Sequence, residues 1–173
     1  IIESYDISNW GDGTSVAGMV VFEDGKPKKA GYRRFKMNTV AGTDDYASMA
    51  ETLARRAAEY EKGAKGQFGI KPDLLLIDGG RGQVSAVQAA LAGTQLADVP
   101  MFGMVKDDKH RTRGLVSAAG GEIMLAMHRG VFTFVTSIQD ETHRWANDYR
   151  RRMQKSRAYS STLQSVPGVG PAT

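Results

Sequence analysis

The stretch "LLLIDGGRGQ", residues 74–83, decides the fold. Its first four residues are apolar without alternation, which is typical of a strand covered on both faces, as in a parallel sheet. Asp78 follows this run directly, and Gly79 and Gly80 then permit a tight turn or a close approach of the backbone. The stretch therefore predicts a buried parallel strand whose carboxyl end carries an aspartate.

Composition limits the class of protein to which this chain can belong. The 173 residues are 41% hydrophobic and 24% charged, an ordinary globular balance. Cysteine is absent, which excludes disulfides and cysteine metal sites and fits a reducing, cytoplasmic location. No segment approaches the roughly 18 continuous apolar residues of a membrane span, and there is no signal-peptide pattern. The chain begins with isoleucine, so we expect it to be a piece of a longer protein.

Basic residues are concentrated in two segments, 106–113 and 144–157. The formal net charge of +4 permits an anionic partner without requiring one. Clusters of this kind favour contact with a polyphosphate. A solvated surface is the ordinary alternative.

Three antiparallel strands are predicted ahead of the deciding stretch, over residues 1–8, 15–23 and 28–37, with a strong hairpin turn at "DGKP". A helix capped by Thr43 or Asp44 follows them. Its apolar stripe repeats at steps of three and four residues. The stripe consists of Tyr46, Met49, Leu53, Ala57 and Tyr60.

Beyond the deciding stretch, the pattern predicts a short helix over 82–91 and a buried strand over 99–106. A hairpin over 114–127 and a long helix from about Val131 to Tyr159 complete the chain. The order β-β-β-α-β-α-β-hairpin-α matches an α/β fold of the ribonuclease H-like kind. Such a fold has a mixed sheet of three antiparallel strands and then parallel strands, flanked by helices.

Two carboxylates are expected to meet at one edge of this sheet. Asp6 lies near the end of the first strand, and Asp78 ends the fourth strand, which lies beside the first in this fold. Two such groups repel each other unless they are protonated or bridged by a cation. Mg²⁺, a hard cation that prefers oxygen ligands, resolves the conflict. The alternative is that Asp78 only starts the turn or caps the helix at Gln83.

His143 lies at the border of the apolar stripe of the long helix. From this position it can reach a site at the strand ends while Trp145 packs beneath it. Asp140 and Asn147 share its side of the helix, whereas Asp148 points away and is a poor third ligand. A surface histidine with no site role is the alternative.

Other residues allow more than one interpretation. Alternation places Tyr32 and Arg34 on one face of the third strand and Arg33 on the other, which sheet pairing explains as well as phosphate contact. Lys106 follows an apolar strand and can reach the same sheet edge. The "DGGRGQ" loop lacks the Lys-Ser/Thr pair of a nucleotide-binding phosphate loop. A G-x-S-x-G elbow and a histidine pair with zinc-ligand spacing are also absent from the sequence.

Five longer motifs along the chain resemble those of a known family. They are "YDISNWGDGTSVAGMVVFEDGKPKKAGYRRFKM", "DDYASM", "PDLLLIDGGRGQ", "VKDDKHRTRGL" and "QDETHRWA". In this order, over nearly all of residues 2–158, they resemble the C-terminal endonuclease half of UvrC, the incising component of the bacterial excinuclease. The tail "LQSVPGVGPAT" resembles the opening of the helix-hairpin-helix module that follows in that family. The expected organisation is therefore an endonuclease domain over 1–159, then a linker and truncated module over 160–173.

The resemblance implies a divalent-metal-dependent DNA endonuclease of nucleotide excision repair that cuts 5′ to a lesion. Asp6 and Asp78 would be metal-binding catalytic carboxylates, and His143 the third residue of the metal site. Asp45 matches a further catalytic acid, although capping of a helix is its alternative role. Two departures leave any fourth ligand open: Asn9 stands where many members have histidine, and the second histidine downstream is missing.

The implied cofactor is Mg²⁺ or Mn²⁺. The implied partners are damaged double-stranded DNA and, through missing regions of the full-length chain, the damage-recognition protein UvrB, with no membrane involved. The residues expected to contact DNA are Tyr32, Arg33, Lys106, His110, Arg144, Arg150, Arg151 and Arg152. Two rival hypotheses remain: a non-catalytic docking module, and another nuclease of this fold such as a junction resolvase or an Argonaute-type slicer.

Overall fold

A mixed eight-stranded sheet forms the centre of the fold in the computed structural model, which describes residues 1–164. The strands are β1 (Ile2–Asn9), β2 (Ser15–Glu23), β3 (Lys26–Pro27), β4 (Arg33–Lys36), β5 (Leu74–Ile77), β6 (Met101–Lys106), β7 (Thr112–Val116) and β8 (Glu122–Met124). The helices are α1 (Asp45–Glu61), α2 (Arg81–Leu91) and α3 (Arg129–Gln164). No helix in the described part of the chain is long and apolar enough to cross a membrane.

The strand order is β3-β2-β1-β5-β6-β7-β8, and β4 also pairs with β2. β1 and β2 are antiparallel, whereas β5 runs parallel to both β1 and β6. β5 is therefore a central strand, and the side chains of Leu75, Leu76 and Ile77 are at most 1% exposed. The predicted mixed sheet and its buried parallel strand are confirmed.

The helices cover opposite faces of the sheet. Arg56 of α1 reaches Glu3 of β1, whereas the Thr142 hydroxyl of α3 lies in hydrogen-bond contact with the Ser4 hydroxyl at 2.9 Å. Successive residues of a strand point to opposite faces, so α1 and α3 lie on different sides of β1. Gly18 of β2 allows α3 to pack closely, because a Cβ there would lie 3.0 Å from Cδ1 of Trp145.

The predicted return strand over 28–37 is interrupted in the structure. Pro27 of β3 pairs with Phe22, and Arg33 of β4 pairs with Met19. Residues 28–32 therefore oppose only two residues of β2, and the surplus forms a 3₁₀ turn over Lys29–Gly31. A continuous ladder could not absorb this excess.

One predicted feature of the first helix is confirmed and another differs from the structure. Asp44 caps α1 by accepting a hydrogen bond from the backbone N–H of Ala47 at 3.0 Å, as one of the two predicted caps. Tyr46 is 56% exposed, however, although the stripe predicted it to be buried. It lies in the first turn of α1, where its ring packs beside Gly82 rather than over the sheet.

The long helix and the hairpin predicted from the sequence are both present in the structure, although the helix is longer than predicted. β7 and β8 form the predicted hairpin, with Gly120 at a φ of 90° in the turn. α3 continues past the predicted end at Tyr159, so residues 160–164 are helical. The rest of the predicted helix-hairpin-helix start, 165–173, lies outside the described residues.

A buried ion pair joins α1 to β1. The side chains of Arg56 and Glu3 are both 0% exposed, and Nη2 of Arg56 lies 2.8 Å from Oε1 of Glu3. The guanidinium also donates to the carbonyls of Phe68 and Ile70, at 2.8 and 2.7 Å. The Tyr5 hydroxyl donates to the same carboxylate at 2.7 Å. Every charge in this network therefore has several partners, which buried charges require.

Candidate metal centre

Three side chains meet where β5 ends beside the middle of β1. Ligand atoms of Asp6, Asp78 and His143 all lie within 4.8 Å of one another. The register explains the meeting of the two acids, because Tyr5 pairs with Ile77 in the parallel ladder and the next residue on each strand is an aspartate. The backbone N–H of Asp78 continues this pairing and donates to the carbonyl of Tyr5 at 2.8 Å.

Asp6 and His143 share a proton-sensitive contact. Nδ1 of His143 lies 3.0 Å from Oδ2 of Asp6, and the side chains are 60% and 11% exposed respectively. Burial raises the pKa of the Asp6 carboxyl, and the nearby Asp78 raises it further, against the lowering effect of His143. The hydrogen bond to Asp6 in turn raises the pKa of His143. A cation placed between the two acids would relieve their repulsion.

Asp78 is held by two donors. Nζ of Lys106 lies 3.2 Å from each carboxylate oxygen, and the Gln139 side-chain amide donates to Oδ1 at 2.9 Å. The side chain of Asp78 is 7% exposed. Helix capping is not its role, because α2 has Gly80 as its N-cap and no side chain caps it. The carboxylate therefore faces the other two members of the cluster rather than a helix end.

Glycines allow the loop after β5 to fold tightly beneath the acids. A Cβ at Gly79 would lie 1.2 Å from Oε1 of Gln83, so the Gln83 side chain occupies the space beside the loop. A Cβ at Gly103 of β6 would lie 2.3 Å from the Gly79 carbonyl oxygen. Neither glycine has a left-handed conformation. Gly103 is required by the close approach of backbone, whereas Gly79 leaves room for the Gln83 side chain.

Asp45 lies outside the three-residue cluster. Its Oδ1 accepts a hydrogen bond from the amide of Asn9 at 2.7 Å, and Oδ1 of Asn9 accepts one from the Ser15 hydroxyl at 2.6 Å. Capping belongs to the preceding residue, Asp44, so the alternative role suggested by the sequence does not apply. A catalytic role for Asp45 stays a prediction.

A basic groove of about 960 Å³ opens beside the cluster. Its cationic and imidazole side chains, besides His143, are Lys106, His110, Arg111, Arg144, Arg150 and Arg151. Arg144 is paired with Glu141 at 2.7 Å, and Arg111 with Asp107 at 3.0 Å. Within residues 1–164, no ion pair involves Arg150 or Arg151. Their charges are therefore available to an anionic ligand.

Three residues predicted to contact DNA make other contacts outside this groove. Tyr32 is 6% exposed and donates its hydroxyl to Glu141 at 2.9 Å. Arg33 lies over the ring of Phe68, and Arg152 is paired with Asp148 at 2.9 Å. A role in DNA contact for these three stays a prediction.

Two residues at this site were not predicted from the sequence to belong to it. Gln139 lies four residues before His143, so helical spacing could have placed it on the same side of α3. Tyr46 lines the small cleft that contains Asp6, Asp78 and His143, and was assigned to the core instead. Spacing alone gave no signal that Tyr46, in the first turn of α1, lines this cleft instead of the core.

The donor set fits a divalent cation. Two carboxylates supply the oxygen ligands that Mg²⁺ prefers, and Mn²⁺ accepts the same oxygens together with an imidazole nitrogen. A structural zinc site would need four nitrogen or sulfur ligands that enclose the ion. This cluster offers three ligands and opens onto a cleft. Asp6, Asp78 and His143 are the residues that could hold the ion.

Comparison with known proteins gives consistent matches. A family profile described as "UvrC RNAse H endonuclease domain" matches residues 1–146. UvrABC system protein C of Alkaliphilus oremlandii is 45% identical over 185 residues, covering 99% of this chain and 29% of that protein. The Acetivibrio thermocellus protein of the same name is also 45% identical and covers 98% of the chain and 29% of its own length. The chain thus spans less than a third of these curated relatives.

Among solved structures, Ciona intestinalis endonuclease V in complex with a 24-mer DNA containing an inosine aligns with a TM-score of 0.42. The identity is 13%, and the alignment covers 61% of this chain and 47% of the other. A likeness of this size carries no information about activity.

Proposed function

Because the chain belongs to the family of UvrC ribonuclease H endonuclease domains, we propose that it makes the DNA incision 5′ to a lesion in nucleotide excision repair. The proposed reaction is hydrolysis of a backbone phosphodiester with Mg²⁺ or Mn²⁺. The observation that carries the proposal is the cluster of Asp6, Asp78 and His143, whose ligand atoms lie within 4.8 Å of one another.

In this proposal, the two carboxylates and the imidazole of the cluster have different roles. Asp6 and Asp78 provide carboxylate oxygens to the cation, and His143 completes the ligand set or holds a proton at Nδ1 against Asp6. When bound, the ion supplies positive charge at the scissile phosphate and acidifies a water. Lys106, whose side chain is 33% exposed, brings a second positive charge to the same place. Asp45 supports the site from the end of β1 through Asn9.

The basic groove binds the DNA backbone in this proposal. Arg150, Arg151 and His110 line it beside His143. Contacts to phosphates position a duplex but carry no direct sequence information. Selection of a damaged site therefore falls to the rest of the full-length protein and to its partner UvrB.

The decisive variant is Asp78→Asn in the full-length protein, assayed with the other excinuclease proteins on a lesion-bearing duplex. The 5′ incision should be lost because the cation loses a charged ligand, while DNA affinity stays within about twofold of wild type, since the phosphate-binding charges that dominate affinity are unchanged. Asp98→Asn is the matched control, because Asp98 is an exposed acid that pairs with Lys71 at 2.7 Å. Incision by Asp78→Asn at the wild-type rate would contradict the proposal.

Substrate preference separates the rival hypotheses. A lesion-bearing duplex, a branched junction and an RNA–DNA hybrid are compared under the same conditions. Cleavage restricted to the junction or the hybrid would favour another nuclease of this fold. A docking module would cut none of them and would show no Mn²⁺ binding that depends on Asp6.

A further inference from the structure

Gln139 lies beneath the cluster and contacts it from α3. Its side chain is 3% exposed, and its amide nitrogen lies 2.9 Å from Oδ1 of Asp78 and 3.5 Å from the carbonyl of Met104. The Thr112 hydroxyl, itself on a residue only 6% exposed, donates to the amide oxygen of Gln139. Gln139 borders the basic groove, but the residue is only 3% exposed and its amide nitrogen and oxygen are both hydrogen-bonded within the protein. Its effect on the site therefore passes through Asp78.

The chemistry of the neighbours fixes the orientation of this amide. The Met104 carbonyl and an ionised carboxylate can only accept hydrogen bonds. The nitrogen of Gln139 must therefore face Asp78, and the oxygen must face Thr112, where a hydroxyl can donate. A relay of two hydrogen bonds thus runs from β7 through α3 to the end of β5.

We propose that Gln139 is a positioning residue that fixes the Asp78 carboxylate for binding of the divalent cation, an inference that rests on the proposed function. The hydrogen bond to Oδ1 sets the rotation of the carboxylate, and Nζ of Lys106 lies 3.2 Å from each of its two oxygens. Lys106 has a long and partly exposed side chain, so it can move aside when a cation arrives. Gln139 is buried and stays.

Gln139 also links the position of Asp78 to the position of the Asp6–His143 pair. It lies one helical turn before His143, so the same side of α3 contacts Asp78 through one residue and Asp6 through the other. Loss of the Gln139 contact frees the carboxylate to rotate and loosens the helix face that presents the imidazole. Residues that orient metal ligands in this way typically change metal affinity by about 10- to 100-fold when they are replaced.

The test measures Mn²⁺ affinity of this chain by electron paramagnetic resonance for wild type, Gln139→Met, Thr112→Val and the double variant. Methionine keeps the length of glutamine and removes the donor. We expect Gln139→Met to weaken Mn²⁺ binding about tenfold or more and Thr112→Val to weaken it less. The double variant should bind as weakly as Gln139→Met alone, because both substitutions break one relay.

A matched control separates positioning from a general loss of packing. Gln67 is 5% exposed, and neither polar atom of its side chain has a hydrogen-bond partner within the described residues. It packs beside Gly31, outside the metal cluster. Gln67→Met should therefore leave Mn²⁺ affinity unchanged, whatever its effect on the melting temperature.

The kinetics give an independent readout. For 5′ incision by the full-length protein, Gln139→Met should lower kcat at limiting Mn²⁺ and leave KM for DNA unchanged. Excess Mn²⁺ should restore kcat, because all three ligands are still present. A purely structural role would lower activity without rescue by metal.

Each outcome decides the inference. Wild-type Mn²⁺ affinity in Gln139→Met, alongside lost binding in Asp78→Asn, would overturn it and leave the proposed function standing. Unchanged binding in Asp78→Asn would instead overturn the metal site itself. If Gln139→Met does not fold, Thr112→Val decides: weaker Mn²⁺ binding supports the relay, and unchanged binding overturns it.

Discussion

Replacing Arg56 with methionine should bring this domain close to unfolding. The substitution leaves Glu3, which is 0% exposed, without its cationic partner. It also removes the donors to the carbonyls of Phe68 and Ile70. Breaking a buried ion pair by removing one partner costs about 3–5 kcal/mol, and each buried carbonyl left unpaired adds roughly 1 kcal/mol or more. The sum, about 5–7 kcal/mol, is comparable to the whole stability of many domains, roughly 5–15 kcal/mol.

Removing both charges should lower the free energy of unfolding less than removing one of them. In Glu3→Leu/Arg56→Met no buried charge is left uncompensated, and apolar pairs of similar volume often replace buried ion pairs without loss. Urea unfolding of the two single variants and the double variant gives the coupling free energy, which we expect to exceed about 2 kcal/mol. Arg55→Met serves as the control, because Arg55 is a neighbour on α1 whose side chain is 37% exposed and pairs with Glu51 at 3.3 Å. A loss below about 1 kcal/mol in Arg56→Met, or strictly additive variants, would refute this reasoning.

Three further predictions concern the metal cluster and the groove. His143→Ala should weaken Mn²⁺ binding and abolish incision with little change in the urea midpoint, because the side chain is 60% exposed; a large loss of stability would instead indicate a structural histidine. Mn²⁺ affinity, measured by titration at a series of pH values, should be weak below the pKa of His143 and increase as the pH rises through it. The hydrogen bond to Asp6 raises that pKa, and the metal must displace the proton; an affinity independent of pH would exclude the imidazole as a ligand. Arg150→Ala/Arg151→Ala should weaken DNA binding and reduce its salt dependence by roughly one counterion per arginine, measured by fluorescence anisotropy, with Mn²⁺ affinity unchanged. Arg152→Ala, which removes a residue already paired with Asp148, should have the smaller effect, and the reverse ranking would contradict the assignment of the groove.

The deciding stretch made the centre of the fold and the position of Asp78 predictable. An unbroken apolar run indicates a strand buried on both faces. The residue after it must then lie where the strand leaves the sheet at its carboxyl end. Once β1 is placed beside β5, the matching aspartate on β1 follows from the parallel register. Helical spacing placed His143 only at the border of the apolar stripe, and the family resemblance then assigned it to the site. The other inferences use only short-range periodicity and a known topology.

Contacts between elements that are distant in sequence were not predictable in the same way. The burial of Glu3 depends on Arg56, 53 residues later, and a charged residue in a strand ordinarily indicates solvent. The hydrogen bond from Gln139 to Asp78 depends on the angle at which α3 crosses the sheet. Gly18 permits that close packing, although its sequence context resembles any other strand residue. The exposure of Tyr46 depends on how the first turn of α1 packs beside Gly82 of α2.

A structure determined after soaking crystals in Mn²⁺ tests the central claim most directly. One anomalous peak should lie between Asp6, Asp78 and His143, with Lys106 moved away from the carboxylate it now contacts. The peak should be absent from crystals of Asp78→Asn soaked in the same way. An anomalous peak at another position, or one at the cluster that persists in Asp78→Asn, would contradict the account.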